Sequence, residues 1–128
     1  METLTTHGIK VSVQTHYRPE YSNPDNDQFY FAYQITIENH SSRTVQLRRR
    51  KWIIHDSLAA VKEVNGDGVV GKQPVLAPGE IFEYESYCPL TSDVGKMEGV
   101  FIMEDVNGNE TIEVKIPEFL LCTNFRAN

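Results

Sequence analysis

A chain of 128 residues is long enough to bury one core without disulfide or metal staples, and one domain over residues 1–128 is expected. Its formal charge of −6 disfavours a general nucleic-acid binder and attraction to anionic lipid. No apolar run approaches the ~20 residues that span a bilayer, and the N-terminal METLTTHGIK lacks the basic start and apolar centre of a signal peptide, so a cytoplasmic setting is expected.

Nearly every periodic segment has period two, the mark of half-buried strands. Ile9, Val11, Val13 and then Tyr17 share one face, with Lys10, Ser12, Gln14 and His16 on the other. Residues 18–28 are rich in turn formers and read as a loop. Phe29, Phe31, Tyr33, Ile35 and Ile37 then alternate with Tyr30, Ala32, Gln34, Thr36 and Glu38, and residues 39–43 make a polar turn. Val45 and Leu47 are apolar at odd positions, whereas Trp52 and Ile54 are apolar at even ones. A one-residue shift flips every side chain, so a bulge or sharp twist is predicted within residues 48–51.

A turn and a short strand over residues 60–64 lead into a glycine-rich loop, a short strand at Val75 and Leu76, and a Pro78-Gly79 turn. Phe82, Tyr84 and Ser86 alternate with Ile81, Glu83, Glu85 and Tyr87. Residues 97–105 and 111–116 flank Asn107-Gly108, a dipeptide that favours a tight type I′ hairpin because both residues accept positive φ. Gly99 marks a bulge or a close backbone approach in the first arm. Pro117 is expected to end the ladder, leaving Phe119 and Leu121 to cover an edge or the core. About seven or more short strands and no helix predict an all-β, mostly antiparallel β-sandwich, with Trp52 placed as in immunoglobulin-like domains, between the sheets.

Gly66, Gly68 and Gly71 have G-x-G-x-x-G spacing, and Gly66 with Gly71-Lys72 approaches a P-loop. Both phosphate motifs need a helix after the glycines, but Pro74 and Pro78-Gly79 follow at once, and Gln73 stands where a magnesium-holding hydroxyl belongs. Two readings stay open. The loop is either a nest of N–H groups for phosphate oxygens, with Lys72 adding charge, or a structural crossing in which glycines are needed for turns. Asp67 repels an anion, while Val69 and Val70 look like core, and these weigh toward the structural reading. The basic run Arg48, Arg49, Arg50 and Lys51 is either a receiver for a phosphorylated ligand or acidic partner, or a strand edge defended by charge. Apart from any bulge, Arg48 and Arg50 share a face. The candidate ligand-binding set is therefore Gly66, Gly68, Gly71, Lys72, Arg48 and Arg50.

Cys88 and Cys122 form no C-x-x-C pair, and His7, His16, His40 and His55 fall in no zinc pattern, so reduced structural thiols, no metal and no cofactor are expected. His55-Asp56, and Glu104-Asp105 with Glu110, are weak divalent-cation candidates beside a blander reading as solvated turns. No nucleophile–base arrangement can be assembled from spacing, so a non-catalytic chain is expected. Tyr17, Tyr21, Tyr30, Tyr84, Tyr87 and Phe101 exceed what one inner face needs. Some would line an exposed patch for a protein partner, or else pair across strands. Oligomeric state is left open.

Taken in order, Trp52-Ile53-Ile54, the run from Gly66 to Gly71, Gln73-Pro74-Val75-Leu76-Ala77-Pro78-Gly79-Glu80, Phe82-Glu83-Tyr84 and Cys88-Pro89-Leu90 form a specific pattern. Together with Val45-Gln46-Leu47 upstream and Ile116-Pro117 downstream, it resembles the ApaG family over nearly the whole chain. That resemblance implies a small sandwich of fibronectin type III or immunoglobulin-like architecture. Such domains stand alone in bacteria and are appended to F-box and polymerase-associated proteins in eukaryotes, as interaction modules. It also implies a proposed pyrophosphate site at the glycine motif and a link to cobalt and magnesium efflux. The expected function is a protein-binding module, with a pyrophosphate or nucleotide polyphosphate binder as the alternative and an indirect role in cobalt and magnesium homeostasis as a third.

Overall fold

The period-two alternation becomes nine β-strands in the computed structural model, which describes residues 1–57 and 59–123. These are β1 (Glu2–Thr6), β2 (Ile9–Tyr17), β3 (Phe29–Asn39), β4 (Val45–Asp56), β5 (Lys62–Asp67), β6 (Val75–Leu76), β7 (Ile81–Leu90), β8 (Val94–Asp105) and β9 (Thr111–Cys122). One sheet has the order β1-β2-β3-β7; the other runs β5-β4-β8-β9, with β6 also paired to β4. All pairings are antiparallel. The sheets stack face to face as a β-sandwich. No helix among the described residues is long and apolar enough to cross a membrane.

The core is the union of the two inner faces. Ile9, Val11, Val13, Phe31, Tyr33, Ile35 and Ile37 come from the first sheet; Leu47, Trp52, Met97, Phe101, Val114 and Phe119 come from the second. Trp52 is 3% exposed and lies between the sheets, its ring centroid 5.4 Å from Tyr33, 5.8 Å from Phe119 and 6.5 Å from Phe101. These edge-on contacts match the quadrupoles of the rings.

Both predicted irregularities are present. The β4–β8 register shifts between Leu47 and Arg49, so Arg48 is the extra residue and the apolar parity of β4 changes there. The β8–β9 register shifts between Met97 and Gly99. At Gly99 an added Cβ would stand 2.2 Å from the Lys51 carbonyl oxygen, so the neighbouring strand passes too close for any side chain.

Three sequence expectations are corrected. Pro117 does not end the ladder: β9 continues to Cys122, because Pro117 and Glu118 together oppose Glu98 in the bulge, where no ladder N–H is needed. Phe119 and Leu121 consequently pair with β8 and are buried. The Asn107-Gly108 turn is not type I′. The Asp105 carboxylate accepts the N–H groups of Asn107 (3.0 Å) and Gly108 (3.2 Å), and positive φ moves on to Asn109 (φ 54°) in a longer loop. Finally, residues 1–8, to which the alternation assigns no strand, form β1 and a two-residue turn at His7 (φ 52°) and Gly8 (φ 81°).

Candidate functional site

The glycine loop is organised by the Arg48 bulge. Bulging leaves the Arg48 carbonyl outside the β4–β8 ladder, and it accepts the Gly68 N–H and the Gln73 Nε2, each at 2.9 Å. Gly66 and Asp67 belong to β5, opposite Arg50 and Arg49. Beyond them, Val69 and Lys72 exchange two backbone hydrogen bonds of 2.8 Å, closing a two-residue turn at Val70 (φ 44°) and Gly71 (φ 79°). The Gly68, Val69 and Lys72 N–H groups are thus engaged within the loop and its bulge, while Val70 and Gly71 form its exposed tip.

The bulge also separates two arginines that simple alternation would put on one face. Arg48 is exposed and donates to the Gln46 side chain at 3.2 Å. Arg50 turns inward beside Trp52 and Ile54 and is half-buried. Its Nη1 donates to the Asp67 carbonyl at 3.1 Å and the Gly68 carbonyl at 2.9 Å. Its guanidinium lies so close to Gly66 that an added Cβ would meet Nη1 at 2.8 Å and Cζ at 2.9 Å. Gly66 and Gly68 therefore meet Arg50, one through its bare Cα and the other through its carbonyl. Lys72 and Arg48 stand on the exposed side of the loop.

Arg50 opens into a cleft of about 420 Å³ between the β7 edge of one sheet and β4 and β5 of the other. Trp52, Ile54, Val64, Met97 and Leu90 supply apolar walls; Tyr33, Ser86, Cys88, Lys62 and Asp56 supply polar groups. Burial raises the Tyr33 phenol above its ordinary pKa, against a hydrogen bond with Ser86 that lowers it. The Tyr84 hydroxyl is buried without a hydrogen-bond partner among the described residues, and burial raises its pKa strongly. Asp56 closes one end. Its Oδ2 accepts the Thr91 N–H at 2.7 Å and the Thr91 hydroxyl at 2.8 Å, and Oδ1 accepts the Ser92 hydroxyl.

A second feature lies on the outer face of the first sheet. Tyr30 of β3 stacks on Tyr87 of β7, with centroids 5.4 Å apart and planes at 29°. Tyr21, from the loop after β2, meets Tyr30 edge-on at 5.9 Å. Tyr21 is 67% exposed and Tyr87 46% exposed. Beside this row runs a shallow groove of about 330 Å³ lined by Phe29, Pro89, Leu90 and Thr91.

Comparison with known families decides the kinship: the ApaG domain family matches residues 19–105. This chain belongs to the ApaG family. It is 47% identical over 121 residues to a Protein ApaG of Brucella anthropi, covering 94% of this chain and 92% of that one. A Protein ApaG of Methylorubrum populi is 49% identical with the same coverage. The crystal structure of an ApaA protein from Bordetella pertussis superposes with a TM-score of 0.86 at 46% identity, covering 91% of this chain and 94% of that one. The match spans both the glycine loop and the tyrosine row, so both features lie within the ApaG domain.

Cys88 is 2% exposed, and burial first, with Asp56 adding to it, pushes its thiol up to about 11 against the opposing charge of Lys62. It is protonated at neutral pH and packs as a small hydrophobe. Cys88 and Cys122 are both free thiols. Of the weak cation candidates, Asp56 ties β4 to the turn after β7, and Asp105 caps its own hairpin. The sequence reading missed the cleft altogether. Its signal was the parity change at residues 48–51, which, followed through, brings Arg50 to the same side as Trp52.

Proposed function

We infer that this ApaG-family chain is a protein-binding module that docks its partner on the row Tyr21, Tyr30 and Tyr87. The observation that carries this reading is the stacking of these rings on an outer sheet face, with two of them widely exposed. Tyrosine combines large contact area with a polar tip and little rotamer entropy to lose, which is why it concentrates at the centres of interfaces. The neighbouring groove beside Pro89 and Leu90 offers a place for an apolar anchor, and the Arg18–Glu85 ion pair at 3.8 Å forms part of a polar rim. A photoreactive benzoylphenylalanine at position 87 tests this in living cells. A discrete protein adduct that disappears with Tyr30→Ala is expected. Adducts no more specific than those from the same probe at exposed His40 would overturn the reading.

One observation favours a second reading, an anion held at the glycine hairpin. The Val70 and Gly71 amides have no acceptor among the described residues, and Lys72 is exposed beside them. Pyrophosphate titrated by calorimetry should then bind in a way that Lys72→Gln weakens. Equal heats for the two proteins would remove this reading. Gly68→Val is not a clean probe, since a Cβ there would stand 2.2 Å from the Lys72 carbonyl oxygen and distort the loop itself.

A further inference from the structure

The inter-sheet cleft has a chemistry distinct from both surfaces above. Arg50 is half-buried in it and, among the described residues, makes no ion pair with any carboxylate, on a chain whose net charge is −6. Among the described residues only Nη1 of its guanidinium is engaged, by the two loop carbonyls. A guanidinium carries five N–H donors, so Nε and Nη2 retain the side-on edge that fits a carboxylate with two parallel hydrogen bonds. A partly desolvated cation without a counter-charge costs stability, and here the loop holds it in place with carbonyl oxygens instead. We propose that the cleft binds a small, elongated monocarboxylate with an apolar body, its carboxylate on Arg50 and its body along Trp52, Ile54 and Val64.

The other walls narrow the ligand further. Arg50 pairs with Gly66 and Ile54 pairs with Lys62, so four residues of β4 separate the two ends of the cleft, about 13 Å at strand rise. The Lys62 end also holds the Asp56 carboxylate, which already accepts three hydrogen bonds. A second anionic head would meet that charge, so a monoanion fits better than a dicarboxylate. Tyr33 and Ser86 stand across the cleft from Arg50 on the other sheet and can bond the head group. A cleft of this size lies within the range that encloses small ligands. Glycine at position 66 is explained by the same device, since any side chain there would push the guanidinium aside.

The chain's one tryptophan, Trp52, lines the cleft and reports on it directly. Tryptophan fluorescence would be followed while 4-phenylbutyrate, its uncharged amide and 2-phenylethyl phosphate are each titrated into the whole chain. The expected result is saturable binding of the carboxylate, about tenfold or more tighter than the amide, as a charge-assisted bidentate contact implies. Arg50→Gln should abolish that preference. Because this variant also loses two bonds to the glycine loop, Arg50→Lys serves as the second arm: it keeps the charge but not the two-pronged fork, and should retain only part of the preference for the acid. Equal binding of acid and amide, no saturable response, or a preference unchanged in Arg50→Gln would overturn the proposal. Tighter binding of the phosphate than of the carboxylate would overturn the choice of head group.

Discussion

At the scale of single residues, the turn at Val70 and Gly71 is the place where local preference and observed backbone disagree most. A type I′ turn needs positive φ at both central residues and favours Asn-Gly. Gly71 accepts this without cost, and nothing lies within 4 Å of where its Cβ would be. Val70 is β-branched, about half exposed, and held at φ 44°. A side chain branched at Cβ is strained there by about 1–2 kcal/mol. Two backbone hydrogen bonds between Val69 and Lys72, and docking of the loop on the Arg48 carbonyl, hold it there. Val70→Asn creates Asn-Gly at that turn and removes the strain without touching the core. The expected outcome is a gain of about 1 kcal/mol and a rise in Tm of roughly 3–6 °C. Thermal unfolding followed by circular dichroism checks it, and a variant no more stable than the parent would mean that the side chain of Val70 contributes packing equal to its strain.

At the scale of elements, Asn39 shows how a polar residue can organise several segments at once. It ends β3, is fully buried, and ties the β3–β4 turn to β6. Its Nδ2 donates to the Arg43 carbonyl at 2.7 Å and the Leu76 carbonyl at 2.9 Å, while its Oδ1 accepts the Ser41 N–H at 2.9 Å and hydroxyl at 2.6 Å. Its backbone pairs with Gly79 and Glu80 across the Pro78-Gly79 turn. Asn39→Ala leaves the Leu76 carbonyl buried without its donor, and a loss of about 3 kcal/mol is expected, or roughly 10–15 °C in Tm. Urea unfolding gives the same quantity independently, and a loss below about 1 kcal/mol would show that water replaces the amide. Sequence placed Asn39 in a polar turn, because composition registers polarity but not burial. The alternation in β3 and the parity change in β4 were readable, since each is a period-two pattern repeated over several residues. Pro117 and Asn107-Gly108 misled for separate reasons: a bulge opposite Glu98 removes the need for the proline's N–H, and the Asp105 side chain outcompetes the preference of the dipeptide. Neither event is encoded in the residues that carry the signal. Arg50 lay within the expected ligand set, but its cleft depends on β7, which is distant in sequence.

At the scale of the whole molecule, the sandwich is closed on one side and open on the other. β1 and β2 pack against β9, where the Lys115 N–H donates to the Thr6 hydroxyl at 3.3 Å and the Thr15 hydroxyl to the Leu120 carbonyl at 3.5 Å. On the opposite side, β5 and β7 stand apart around the cleft. Strand edges are vulnerable where nothing covers their unpaired backbone groups, so β9 and β5, both at the border of the second sheet, should behave differently. β5 is short, largely exposed and begins beside the cleft, whereas Ile112, Val114, Ile116, Phe119 and Leu121 of β9 are buried. Local opening follows buried apolar contact rather than position in the sheet order. Hydrogen–deuterium exchange read by mass spectrometry should therefore show residues 62–67 exchanging well before residues 111–122, with the central strands β3, β4 and β8 slowest. Equal exchange of β5 and β9 would mean that β1 and β2 do not close the second sheet in solution. A slow β5 that quickens in Arg50→Gln would show that the guanidinium, through the Asp67 and Gly68 carbonyls, is what holds the open side together.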